Sequence, residues 1–172
     1  KLPKSFWAWD EMIASNKTGY FPYTPATNML YALSAAIDML HEEGLDNVFA
    51  RHSRHGEATR RAVAAWGLEN LCKDARYYSP VLTAVVMPDG HNADTFRKVC
   101  LDHFALSLGT GLAKVAGKVF RIGHLGDTND LTILGTLAGV EMSLGIACVP
   151  HTPGGVAAAM QYLAMTAKPF PG

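Results

Sequence analysis

Val81-Leu82-Thr83-Ala84-Val85-Val86-Met87 runs directly into Pro88-Asp89-Gly90. Residues 81–87 are rich in β-branched side chains, and a Pro-Asp-Gly turn stops them, so they describe a strand. Working outward, Leu68–Cys72 offers a partner strand upstream. Two more short strands are expected near Leu106–Leu108 and Lys118–Ile122, with Gly109–Ala113 as a loop between them. Helical periods flank this β-rich stretch. Met29, Leu30, Leu33, Ala36, Ile37 and Leu40 form one stripe that ends at Gly44. Leu45, Val48, Phe49, His52, Thr59, Val63 and Trp66 form a second stripe that ends at Gly67. On its opposite face Arg51, Arg54, Glu57, Arg60 and Arg61 read as solvated. Asn92 caps a third helix. Asp127 starts a long one with Asp130 in its first turn, and a small-residue helix follows near Val156–Ala164. The order predicts an α+β layer, a small, mostly antiparallel sheet with helices packed on one side.

Residues 1–27 read as irregular connection punctuated by Pro3, Gly19, Pro22 and Pro25, with Asp10–Ser15 as a short helix. Their aromatic load (Phe6, Trp7, Trp9, Tyr20, Phe21, Tyr23) predicts that they pack on something. The expected division is a linker over 1–27, a small domain with its leading helix over 28–148, and a tail with a short helix over 149–172.

Fifteen basic residues balance fifteen acidic ones in this 172-residue chain. Without a basic excess, neither nucleic acid nor an anionic membrane is an expected partner. No apolar run approaches the roughly 20 residues that span a bilayer. Cys72, Cys100 and Cys148 are scattered, odd in number and outside any C-x-x-C, which fits a reducing, cytoplasmic setting. The first residue is not Met, so the start reads as trimmed. The ending Pro169-Phe170-Pro171-Gly172 is not a peroxisomal signal.

Three segments offer chemistry. In Phe21-Pro22-Tyr23-Thr24-Pro25-Ala26-Thr27-Asn28 a rigid loop feeds a helix start. Its hydroxyls and the free N–H groups of the first turn suit a phosphate, while Thr27 or Asn28 also reads as a plain N-cap. In Gly117-Lys118-Val119-Phe120-Arg121-Ile122-Gly123-His124-Leu125-Gly126 an arginine sits inside an apolar strand pattern. Lys118, Arg121 and His124 do not share one alternating face, so one of them points inward or lies at a strand end. Arginine there is either a carboxylate clamp or an exposed or intramolecularly paired residue. The Gly109-Thr110-Gly111 stretch is better read as a turn than as a phosphate cradle. His52 with His55, and Cys100 with His103, have helical spacing but no further ligands, so no metal set is assigned.

These strings, in this order, resemble the C-terminal portion of class V, fold-type I pyridoxal-phosphate (PLP) aminotransferases, in the serine–glyoxylate and alanine–glyoxylate branch. The resemblance rests on residues 21–31, on Glu43-Gly44-Leu45 and on residues 117–127, and it extends to about residue 148. It implies PLP as cofactor, amino-acid and 2-oxo-acid substrates, and a homodimer. It places the substrate α-carboxylate on Arg121. It places the neighbouring subunit's PLP phosphate on Thr24; the relatives' second phosphate contact, a tyrosine, falls on Phe21, which cannot donate, and Tyr23 is the candidate to replace it, a point the sequence leaves open. The Schiff-base lysine and the aspartate that pairs with the cofactor ring are expected upstream of this chain. Lys4 lies too near Thr24 and lacks a Gly-Ser-Gln flank, so no catalytic residue is assigned and the chain alone is expected to be inactive. The competing expectations are a non-catalytic α+β interaction module and another class V activity. A desulfurase would need a cysteine on a mobile loop, whereas Cys100 and Cys148 fall in helix or helix-end patterns.

Overall fold

The computed structural model describes residues 5–167; Lys4 and the closing Pro169–Gly172 string lie outside them. The chain forms two compact units, one up to Leu45 and one from Asp46 onward.

The first unit holds α1 (Trp9–Asn16) and α2 (Thr27–Glu43), preceded by a single 3-10 turn. The short helix expected over Asp10–Ser15 is present as α1, one residue longer at each end. Neither helix buries a side chain among the described residues. The stripe Met29, Leu30, Leu33, Ile37 and Leu40 is present as predicted, but it faces outward, as do Trp7, Trp9 and Tyr20. Among the leader aromatics Phe6 packs against Trp7 and Tyr23, with ring centroids 5.7 Å apart in each pair. Gly44 ends α2 at φ +80°, a value that favours glycine.

The second unit contains α3 (Leu45–Ala65, whose first residue closes the first unit), β1 (Glu69–Asn70), β2 (Leu82–Val86), α4 (Ala93–Phe104), β3 (Gly109–Thr110), β4 (Val119–Gly123), α5 (Asp130–Ile146) and α6 (Gly155–Met165). The sheet order is β1-β2-β4-β3, antiparallel throughout. Val85, Phe120 and Ile122 face the helices and share one core with Ala62, Trp66, Phe96, Leu137, Leu144 and Leu163. The α+β expectation holds.

Some boundaries moved. The fourth strand is Gly109–Thr110, inside the expected loop, because both residues pair with β4. The long helix starts at Asp130, not Asp127: Asn129 accepts the Thr132 N–H and is the cap. The cap of α2 is Ala26, which makes no side-chain bond, rather than Thr27 or Asn28.

The charged face of α3 is not a solvated face. Arg54 donates to both carboxylate oxygens of Asp130 at 2.5 and 2.7 Å, to the Thr166 hydroxyl at 2.7 Å and to the Leu163 carbonyl at 2.6 Å. One guanidinium thus ties α3 to α5 and α6. Arg51 donates to the carbonyls of Gly126 and Thr128. Glu141 of α5 accepts the indole N–H of Trp66 and the backbone N–H groups of Gly154 and Val156, so a carboxylate from another helix caps α6. Burial pushes the Glu141 carboxyl up, but these donors outweigh it and hold it below its ordinary range.

Candidate functional site: an arginine on the sheet face

The outer face of the sheet is set by register. Arg121 lies opposite Ala84 on β2 and Gly109 on β3, so these three share the face turned away from the helices. Its neighbours on β4, Phe120 and Ile122, turn into the core and are almost fully buried. Alternation along five residues is what aims the guanidinium outward. The two flanking positions carry glycine and alanine, and the arginine stem lies against Gly109.

All seven arginines of the sequence sit in the second unit, and six of them bond a carboxylate or a backbone carbonyl. Arg121 is the seventh. Among the described residues it has no hydrogen-bond or ion-pair partner, and its Nε is buried. A buried N–H without an acceptor costs about 1–3 kcal/mol. A permanently charged fork left unpaired on a rigid strand is suited to a ligand carboxylate, which accepts two parallel N–H bonds.

The residues after Arg121 lock the end of β4. His124 is the inward member of the Lys118, Arg121 and His124 set: it is fully buried, whereas Lys118 is exposed. Its Nδ1 donates to the Pro80 carbonyl at 2.9 Å, and the Thr83 hydroxyl donates to its Nε2 at 3.0 Å. Burial lowers its pKa to about 4, so the ring is neutral at pH 7. His52 donates through Nδ1 to the Val48 carbonyl and accepts the Gly126 N–H on Nε2. His55 bonds Asp130 at 3.1 Å, and its pKa is lowered, chiefly by burial. All three histidines are thus in structural use. Among the described residues no three His, Cys, Asp or Glu side chains gather as a metal set.

The glycines after Leu108 make room for protein atoms. A Cβ on Gly111 would lie 2.1 Å from the Val115 carbonyl oxygen, and one on Gly109 would lie 3.0 Å from Arg121 Nε. A cleft of about 300 Å³ opens beside β2, lined by Arg60, Asn70, Tyr78, Leu82 and Ala84 among others; Arg121 is not among its walls.

Tyr23 and Thr24 share one loop of the first unit, while Arg121 belongs to the second. Thr24 is exposed and Tyr23 half-buried, its ring against Phe6. Cys100 is buried inside α4 with its thiol pKa raised by burial, and Cys148 is exposed just after α5.

No family model matches the chain. It is 50% identical over 164 residues to the serine–glyoxylate aminotransferase of Methylorubrum extorquens, covering 95% of this chain and 41% of that protein. It is 49% identical over 165 residues to the serine–glyoxylate aminotransferase of Arabidopsis thaliana, with the same two coverages. The chain is a homologue of the serine–glyoxylate aminotransferases. It corresponds to their C-terminal part and spans about two-fifths of the length of these curated relatives. Among solved structures, the pyridoxamine–pyruvate aminotransferase of Mesorhizobium loti superposes with a TM-score of 0.81 at 29% identity, covering 86% of this chain and 38% of that one. The α+β unit described above is thus the fold of an aminotransferase C-terminal segment.

Proposed function

We propose that this chain supplies the substrate-carboxylate part of an aminotransferase that moves an amino group from serine, or a similar amino acid, to glyoxylate. The observation that carries the reading is the unpaired guanidinium of Arg121 on the outer face of the sheet, where its buried Nε lacks an acceptor among the described residues. Its two terminal nitrogens offer donors to the α-carboxylate of an amino acid, and the strand fixes their direction. Holding the carboxylate there orients the Cα–H bond for removal. The cofactor of this reading is PLP, which when bound supplies the electron sink that makes the Cα–H acidic.

The first unit fits the phosphate of such a cofactor. Thr24 presents an exposed hydroxyl between Pro22 and Pro25, and α2 starts without a side-chain cap, so no side chain competes with an anion there. Tyr23 is a second phosphate contact in this reading, although its ring is engaged by Phe6. No lysine of the described residues is assigned to hold the cofactor. The chain alone is therefore inactive in transamination, and turnover by the purified chain with serine, glyoxylate and PLP would contradict that. In the whole enzyme residues 1–27 serve as linker, 28–148 as small domain with its leading helix, and 149–172 as tail.

The assembly in this reading is a cytoplasmic homodimer, with Thr24 serving the other subunit's phosphate. The exposed apolar stripe of α2 and the three unpaired thiols support it, and no described helix is long and apolar enough to cross a membrane. Light scattering tests the dimer; a monomer at high concentration counts against it.

The deciding experiment is Arg121→Ala in the enzyme at its full length. Loss of two charge-assisted bonds should raise the amino-acid KM on the order of 100-fold. An unchanged KM overturns the assignment.

A further inference from the structure

Gly109 stands opposite Arg121 in the β3–β4 ladder, on the edge strand beside the guanidinium and on the same sheet face. Glycine in a strand weakens it, because it adds backbone entropy to the unfolded chain and offers no side chain to pack. Something must therefore favour it here. The backbone does not: Gly109 is absent from the glycines with positive φ, so any L residue fits its conformation. The helical core does not either, since the Cβ position points to the Arg121 face. The obstacle to a side chain is Arg121 itself. A Cβ on Gly109 would lie 3.0 Å from the arginine Cβ, 3.0 Å from Nε and 3.5 Å from Cζ. Gly111, two residues on, is a different case, because its Cβ would run into the Val115 backbone and glycine is needed for the fold itself.

We infer that Gly109 is a positioning residue for the carboxylate site: its missing side chain is the groove in which the Arg121 stem lies, and that groove sets the direction of the guanidinium. This rests on the reading of Arg121 as the carboxylate clamp. Ala84 holds the register position opposite Arg121 on the β2 side. With small residues on both sides the planar fork lies low against the sheet and buries Nε, leaving the terminal nitrogens to the ligand. A methyl group at 109 displaces the stem by a few tenths of an ångström. Bidentate recognition is sensitive to that displacement, whereas a point charge would not be.

The test is a double-mutant cycle in the full-length enzyme, read by the amino-acid KM, by kcat and by the equilibrium affinity for an unreactive monocarboxylate. Gly109→Ala should raise KM and weaken carboxylate affinity on the order of tenfold, with kcat changed much less. In an Arg121→Ala background the same substitution should change neither quantity further, because no stem remains to be displaced. Equal effects in both backgrounds, or no effect of G109A alone, overturn the inference while the Arg121 reading stands. An Arg121→Ala enzyme with normal KM and normal carboxylate affinity overturns the reading beneath it. If G109A alone fails to fold, G109A/R121A separates the causes: recovery of folding places the conflict at the stem, and failure of both variants places it elsewhere and sinks the proposal.

Discussion

Arg54 and Arg121 belong to the same unit, and their surroundings are opposite. Arg54 spends its donors on Asp130, Thr166 and Leu163, joining three helices. Arg121 spends none on the described chain and keeps a buried nitrogen without an acceptor. The first is an arginine whose role ends inside the fold; the second needs a partner from outside it. Sequence alone does not separate them. Arg54 lies on the polar face of an amphipathic helix and reads as solvated, while Arg121 interrupts an apolar strand and reads either as a carboxylate clamp or as an exposed or internally paired residue.

The comparison breaks first at Arg54. Arg54→Ala leaves Asp130 half-satisfied and unties α3 from α6, so the chain should lose about 2–3 kcal/mol, seen as a melting point lower by roughly 5–10 °C. Arg121→Ala should stay within about 0.5 kcal/mol of the parent in the same melt. Equal losses at the two sites would remove the distinction.

Acid sharpens it next, because the Arg54 corner and the end of β4 are built on neutral histidines. His124 titrates at about 4 in the fold and at its ordinary 6.5 when unfolded. The unfolded chain therefore binds the extra proton, and the stability held above pH 6.5 is lost as pH falls toward 4. By pH 5 the loss from His124 is about 2 kcal/mol. His55, lowered for the same first reason, adds in the same direction. The Asp130 carboxyl is lowered mainly by its bond to Arg54, so its contribution is present above its unfolded value and lost only at still lower pH. Denaturant melts between pH 7 and pH 5 should show this slope, and His124→Gln, which keeps a donor and an acceptor but does not titrate, should flatten it.

Much of the fold was legible because periodicity and turns are local. Asn92, Gly44 and the Pro88-Asp89-Gly90 stop each act where they stand. Errors fell where a distant partner decides. Gly109-Thr110 looks like a loop until β4 pairs with it. Glu141 looks like a break in an apolar run until Trp66 and the start of α6 converge on it. The aromatic leader predicts burial, and Trp7 and Trp9 are about three-quarters exposed within this chain, because composition says that a surface wants burial and not where its cover lies. Arg121 was legible as a candidate from its string. That it is unpaired, and that its stem lies against Gly109, needed the folded structure.

The smallest effect is the most discriminating. If Arg121 is kept for a ligand, the fold gains nothing from its charge and bears the cost of an orphaned Nε. Arg121→Met keeps the length of the stem, removes every donor and lies over Ala84 and Gly109 as an apolar chain. It should therefore leave the empty chain as stable as before or more so, by up to about 1 kcal/mol, while abolishing tight carboxylate binding. Arg54→Met, with its carboxylate left behind, should lose stability instead. A structural arginine loses stability on truncation to methionine and a ligand-facing one does not, so the sign of the Arg121→Met change, measured without any substrate present, separates the two roles.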